Sequence, residues 1–132
     1  MILLDTHIWV RWLTAGDPLP ALIVTQIEEA DAVAVSAISC WEVAYLVKRG
    51  RLKLALPIGD WMDSGLRRAD VQCLEIDEQI ALQAAQLPDH HRDPADRIII
   101  ATALKRHLPL ISLDHAFASY AELNGLLIAP SP

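Results

Sequence analysis

The sequence predicts an α/β fold, a three-layer α/β/α sandwich around a central, mainly parallel sheet. Two observations carry that prediction. Short apolar runs alternate with helically spaced segments from end to end, the pattern of strand–crossover–strand units. The 132 residues, 53% of them hydrophobic, suit one domain with one core, and no internal repeat, linker or low-complexity segment divides them.

The elements follow in order. MILL is an apolar run that reads as a buried strand and ends at Asp5. THIWVRWL places Ile8, Trp9, Trp12 and Leu13 on one helical face. GDPLP breaks that helix, and PALIVTQIEEA resumes as a second one. AVAVS (32–36) is a short β-branched run with a polar end, a second strand. SAISCWEVAYLVKRG is a helix, apolar at Ile38, Trp41, Tyr45 and Leu46 and stopped by Gly50. RLKLALP is a connection closed by Pro57, and IGDWMDSGLRRA an amphipathic helix weakened by Gly65. VQCLEI (71–76) alternates as a strand, and DEQIALQAAQLP is a helix with an acidic cap, running to Pro88. DHHRD reads as a polar loop with His90 and His91 solvated. PADRIIIATALKRH is the strongest helix; LPLISLD is a strand ending at Asp114; HAFASYAEL is a short helix; GLLIA is the last strand before a Pro-rich tail.

Composition bounds the chemistry. The net charge is −6, from 11 basic and 17 acidic residues, which excludes nucleic-acid binding through bulk positive charge. A chain like this that handles phosphate needs a metal for local positive charge. Cys40 and Cys73 show no Cys-x-x-Cys spacing and read as free core thiols of a reducing cytoplasm. No signal peptide is visible, and no apolar run is long enough to span a bilayer. The four tryptophans read mostly as core. Trp61 with Met62 and Leu66, beside Gly65, is the expected exposed apolar surface.

Ligand sites in open α/β sheets lie beyond the carboxyl ends of the strands. Asp5 and Asp114 both fall there. Glu42 stands among Cys40, Trp41, Val43 and Ala44, where a carboxylate is costly unless paired or bound to a cation. Asp96 lies one turn into a helix that turns apolar at Ile98. Each acid also has a plainer use. Asp93, Pro94 and Asp96 form a capping-box-like helix start. Asp5 (or Thr6) and Asp114 can cap helices, and Glu42 can be a solvated helix residue. Four acids converging would raise one another's pKa unless a divalent cation neutralised them. An all-oxygen set favours Mg²⁺ or Mn²⁺.

MILLDTHIWV, SAISCWEVAYLVKRGRL, RDPADRIIIATAL and LPLISLDHAF together resemble, in order, the four segments of PIN-domain ribonucleases. The resemblance is greatest to VapC-type toxins of bacterial toxin–antitoxin pairs and spans essentially the whole chain. It implies that Asp5, Glu42, Asp96 and Asp114 are the catalytic acids, with Asp5, Asp96 and Asp114 holding metal. Thr6, Ser36 or Ser39, and Ser112 match the polar positions that support them. Asp93 and Arg97 match a D-P-x-D-R variant. Two positions depart: His7 stands where Asn is common, and Leu113 where Arg or Lys is. The implied activity is endonucleolytic cleavage of single-stranded or looped RNA, leaving a 3′-hydroxyl and a 5′-phosphate. The implied partners are a cognate antitoxin, docking near Trp61, and a second copy in a homodimer.

Lys48, Arg49, Arg51 and Lys53 form the only dense basic run, either a helix C-terminus matched to its dipole or an RNA-backbone rim. Arg97 is a further candidate for touching RNA. Rival readings fit less well. A phosphoacceptor receiver needs paired acids after its first strand, and a DxDx phosphatase needs an acid where His7 stands. The DHH phosphoesterases are much longer chains than this one. A non-catalytic module with an acidic pocket remains the alternative.

Overall fold

The computed structural model describes residues 1–129; the Pro-rich tail lies outside them. Five strands, β1 (Ile2–Leu4), β2 (Val33–Ser36), β3 (Val71–Leu74), β4 (Leu110–Ile111) and β5 (Leu127–Ile128), form one parallel sheet. Their order is β3-β2-β1-β4-β5. The helices are α1 (Thr6–Leu13), α2 (Ala21–Glu29), α3 (Ala37–Lys48), α4 (Ile58–Asp63), α5 (Glu78–Gln86) and α6 (Pro94–Arg106).

The pleat of the strands divides the interior into two cores. Ile2, Leu4, Val33, Val35 and Ile111 pack with Ile8 and Trp9 of α1, Ile23 and Ile27 of α2, and Trp61 of α4. Leu3, Ala34 and Leu110 point the other way, toward Ile99, Ile100 and Ala103 of α6 and Phe117. Ile80 and Ala84 of α5 pack against Ala101 on α6. The central strand β1 is thus covered on both faces, and Leu3 and Leu4 have no exposed surface. Burying each such leucine contributes about 2 kcal/mol.

Several local expectations shift. The 115–123 segment forms two 3₁₀ turns, His115–Ser119 and Ala121–Leu123. The helix begun at Ile58 passes into one π turn, Ser64–Arg68, around Gly65. The Trp9 indole N–H donates to the Gly65 carbonyl at 3.1 Å, and a Cβ on Gly65 would lie 3.2 Å from the same ring. Gly65 therefore lets an indole approach the backbone rather than weakening the helix. Trp61 is consequently core, edge-on to Trp9 with centroids 4.9 Å apart. The exposed aromatics are instead Trp41 and Tyr45 of α3, stacked on each other at 4.9 Å. That helix turns Ser39 and Val43 inward, which leaves Trp41 and Tyr45 outside.

Both cysteines are free, but only Cys40 packs against the core. Cys73 lies exposed on the edge strand β3, and Cys40 is half-buried, their sulfurs 3.9 Å apart. Burial, reinforced by Cys73, pushes the Cys40 thiol up to about 12.

Candidate active site

The sheet order reverses direction at β1. The chain proceeds from β1 to β2 on one side, and β4 pairs on the other, so a crevice opens where β1 and β4 end. The Asp5 N–H still pairs with the Ile111 carbonyl at 3.0 Å, which fixes Asp5 at the last rung between the two strands.

Asp5 is nearly fully buried. Its Oδ1 accepts from the Thr6 N–H at 2.7 Å, and its Oδ2 accepts from Ser112 Oγ at 2.7 Å. His7 Nδ1 stands 3.2 Å from the same Oδ2. Burial would lower the His7 pKa, but its bond to Asp5 and that acid's charge outweigh this and raise it. Thr6 Oγ1 and Ser39 Oγ share a hydrogen bond of 2.8 Å. Ser36 is occupied as the α3 cap, accepting from the Ile38 N–H. Ser112 Oγ in turn accepts from the Asp114 N–H at 3.0 Å. A relay of small hydroxyls thus ties the ends of β1 and β4 to α3.

Asp96 enters from α6. Asp93 caps that helix, accepting from the Ala95 N–H at 2.9 Å, and Pro94 begins it. One turn in, Asp96 is 9% exposed. Its pKa is pushed up to about 8, by burial first and then by Asp5, Asp93, Glu42 and Asp114. Glu42, from α3, is also raised, chiefly by burial and against a lowering bond from Thr6. Its Oε1 is buried and has no hydrogen-bond partner among the described residues. Asp114 is lowered: burial opposes this, but the Ala116 N–H and His91 prevail.

Two groups offer oxygens or nitrogen within 4.8 Å of one another: Glu42, Asp93 and Asp96; and His91, Asp96 and Asp114. Asp96 belongs to both. Asp5 belongs to neither, but it lines the same cleft of about 360 Å³ as Glu42, Asp96 and Asp114. Crowded carboxylates, an unpartnered buried Glu42 oxygen and an acid held at about 8 suit a hard divalent cation.

Residues 2–123 match the PIN domain family. The chain belongs to that family. It is 34% identical over 120 residues to Ribonuclease VapC22 of Mycobacterium tuberculosis, covering 90% of this chain and 91% of that protein. In fold, this PIN domain is similar to VapBC2 from Rickettsia felis, solved bound to a promoter DNA fragment. The TM-score is 0.73 at 19% identity, covering 98% of each chain. It is also similar to FitAcB from Neisseria gonorrhoeae, with a TM-score of 0.64 at 25% identity, covering all of this chain and 98% of that one.

The PIN domain places two expected residues differently. His91 is not a solvated loop residue. Its Nε2 lies 2.8 Å from Asp96 Oδ2 and 3.0 Å from Asp114 Oδ2, so it sits inside the acid cluster. Arg97 is not free to reach RNA. Its side chain is only 12% exposed, and its guanidinium donates to the carbonyls of Ala84, Ala85, Leu87, Pro88 and His91. The basic run is exposed throughout: Lys48 and Arg49 close α3, and Arg51 and Lys53 follow it. Leu46, just before it, and Leu52, within it, line the acidic cleft, so the run borders that cleft. Arg49 also stands 5.8 Å from the Tyr45 ring centroid. Lys53 lies instead on a second groove of about 600 Å³, beside Leu13, Leu56 and Trp61.

Proposed function

We propose that this PIN domain is a divalent-metal-dependent endoribonuclease, the toxin of a type II toxin–antitoxin pair. The observation that carries the proposal is the convergence on Asp96. Glu42 and Asp114 reach it from two further segments, Asp93 caps its own helix, and burial together with the charges of Asp5 and these acids pushes its pKa up to about 8. A 34% identical relative bearing the name ribonuclease supports the same reading.

Asp5, Asp96 and Asp114 would hold Mg²⁺ or Mn²⁺. When bound, the ion supplies positive charge to a phosphate oxygen and acidity to a water. Asp5, locked by Thr6 and Ser112, is a fixed point against which the other acids are placed. Glu42, with its pKa raised and one oxygen unpartnered, is fitted to orient the attacking water and take its proton. Thr6, Ser39, Asp93 and Ser112 support the acids. An antitoxin segment would enter the groove beside Trp61, and a cationic side chain reaching the acids would displace the ion electrostatically. The setting is cytoplasmic, with a homodimer as the working form. No described helix is long and apolar enough to cross a membrane.

Asp5→Asn is expected to abolish EDTA-sensitive cleavage of single-stranded RNA while leaving the circular dichroism spectrum unchanged. Full, EDTA-sensitive activity in that variant would overturn the assignment. A binding module without catalysis would show no metal-dependent cleavage even in the wild type.

The basic run supplies a second expectation. Replacing Lys48, Arg49, Arg51 and Lys53 with glutamine should flatten the salt dependence of RNA binding, by about 0.7 in log–log slope for each phosphate no longer neutralised. An unchanged slope would remove these residues from the RNA path.

A further inference from the structure

We propose that His91 is a positioning residue, one that donates its Nε2–H to the Asp114 carboxylate and holds that acid against Asp96 without itself ligating the ion. The inference rests on the metal-site reading above and adds to it a residue outside the acid set.

The tautomer follows from the hydrogen bonds. The Asp93 backbone N–H, which can only donate, is directed at His91 Nδ1 at 3.2 Å. Nδ1 must therefore present its lone pair, and the ring proton sits on Nε2. That nitrogen is hydrogen-bonded to Asp114 Oδ2 at 3.0 Å, which accepts, and it stands 2.8 Å from Asp96 Oδ2. A ring that bound an ion through Nε2 would need its proton on Nδ1, and two donors would then meet head-on at Asp93. The same chain of bonds that suits a donor thus disfavours a ligand.

The ring is also held from outside. The His91 backbone N–H donates to Tyr120 Oη at 2.9 Å, and its carbonyl accepts from Arg97 at 3.1 Å. Its ring meets Phe117 edge-on, centroids 6.1 Å apart. Asp114 is in turn fixed at both oxygens, Oδ1 by the Ala116 N–H at 2.9 Å and Oδ2 by His91. Donors that orient metal-binding side chains in this way typically change metal affinity by 10- to 100-fold when removed.

The test is calorimetric titration of the purified full chain with Mg²⁺ and, separately, Mn²⁺, for wild type, His91→Ala and His91→Gln. His91→Ala is expected to weaken both ions by a similar factor, on the order of 10–100-fold. His91→Gln, which carries an N–H₂ at the reach of Nε2, is expected to recover most of that loss. Long-range ¹H–¹⁵N correlation of the wild-type ring, without added ion, is expected to show the Nε2–H tautomer, a readout that holds even where His91→Ala does not fold. A loss confined to Mn²⁺ would mark a nitrogen ligand and overturn the proposal. So would tighter or unchanged binding in His91→Ala, no recovery in His91→Gln, or an Nδ1–H ring. Wild type that binds neither ion overturns the metal reading itself, and this inference with it. Wild type that binds, beside variants that match it, overturns this inference alone.

Discussion

Asp96→Asn is expected to stabilise the protein at neutral pH, by on the order of 2 kcal/mol, while removing its divalent-ion binding. The ordinary Asp value is 3.8, and burial among Asp5, Asp93, Glu42 and Asp114 pushes Asp96 to about 8. Between those values the unfolded chain has released the Asp96 proton and the folded chain keeps it. Folding then takes up a proton, so its stability falls as pH rises through that window and levels off above it. Asparagine keeps the shape and an oxygen for His91 but cannot ionise, so that slope disappears. Urea unfolding at intervals from pH 5 to 9 reads both profiles. Adding Mg²⁺ at pH 8 should raise wild-type stability and leave the variant unmoved, because a ligand stabilises only the fold that binds it. A variant less stable than wild type at pH 7.5, or a wild type without the slope, would contradict the placement of Asp96 as the crowded acid.

Asp5, Asp96 and Asp114 were legible in sequence because each position follows from local geometry. Asp5 and Asp114 come directly after apolar strand runs, and a parallel sheet sends such residues to one end. Asp96 lies one turn past a proline-marked helix start, in phase with Ile99, Ile100 and Ala103, which are buried against the sheet. The strand runs themselves overreach: LPLISL pairs only at Leu110–Ile111, and GLLIA only at Leu127–Ile128. Backbone pairing needs a partner strand of matching length, which an apolar run does not announce. The exchange of Trp41 and Trp61 had the same origin. Both sit in apolar helices, and which one is buried depends on Trp9 reaching the Gly65 carbonyl from 56 residues away. His91 escaped for a longer-range reason. The loop that aims it takes its course from a side chain on the following helix, and no spacing rule reports that.

That side chain is Arg97, and Arg97→Lys is expected to cost about 3–5 kcal/mol. The guanidinium satisfies five carbonyls spread over residues 84 to 91, at 2.7 to 3.1 Å. Its approach to the Asp89 carboxylate is longer, 3.5 Å, and Asp89 is almost fully exposed, so the carbonyls carry the effect. A planar fork with five N–H groups can meet that arrangement; an ammonium with three donors at one point cannot. Carbonyls left without a donor in a half-buried loop each cost about 1–3 kcal/mol, partly relieved by water. One of the five belongs to His91, so a loosened loop also withdraws the imidazole from Asp96 and Asp114. The substitution should therefore lower the urea midpoint and weaken Mn²⁺ binding together. Combined with His91→Ala, its effect on Mn²⁺ binding should be less than additive, since both act through one ring. Arg97→Lys within about 1 kcal/mol of wild type would show that the loop holds its course by other means. Reduced RNA affinity at unchanged stability would return Arg97 to the RNA surface, where its charge and not its fork would be what matters.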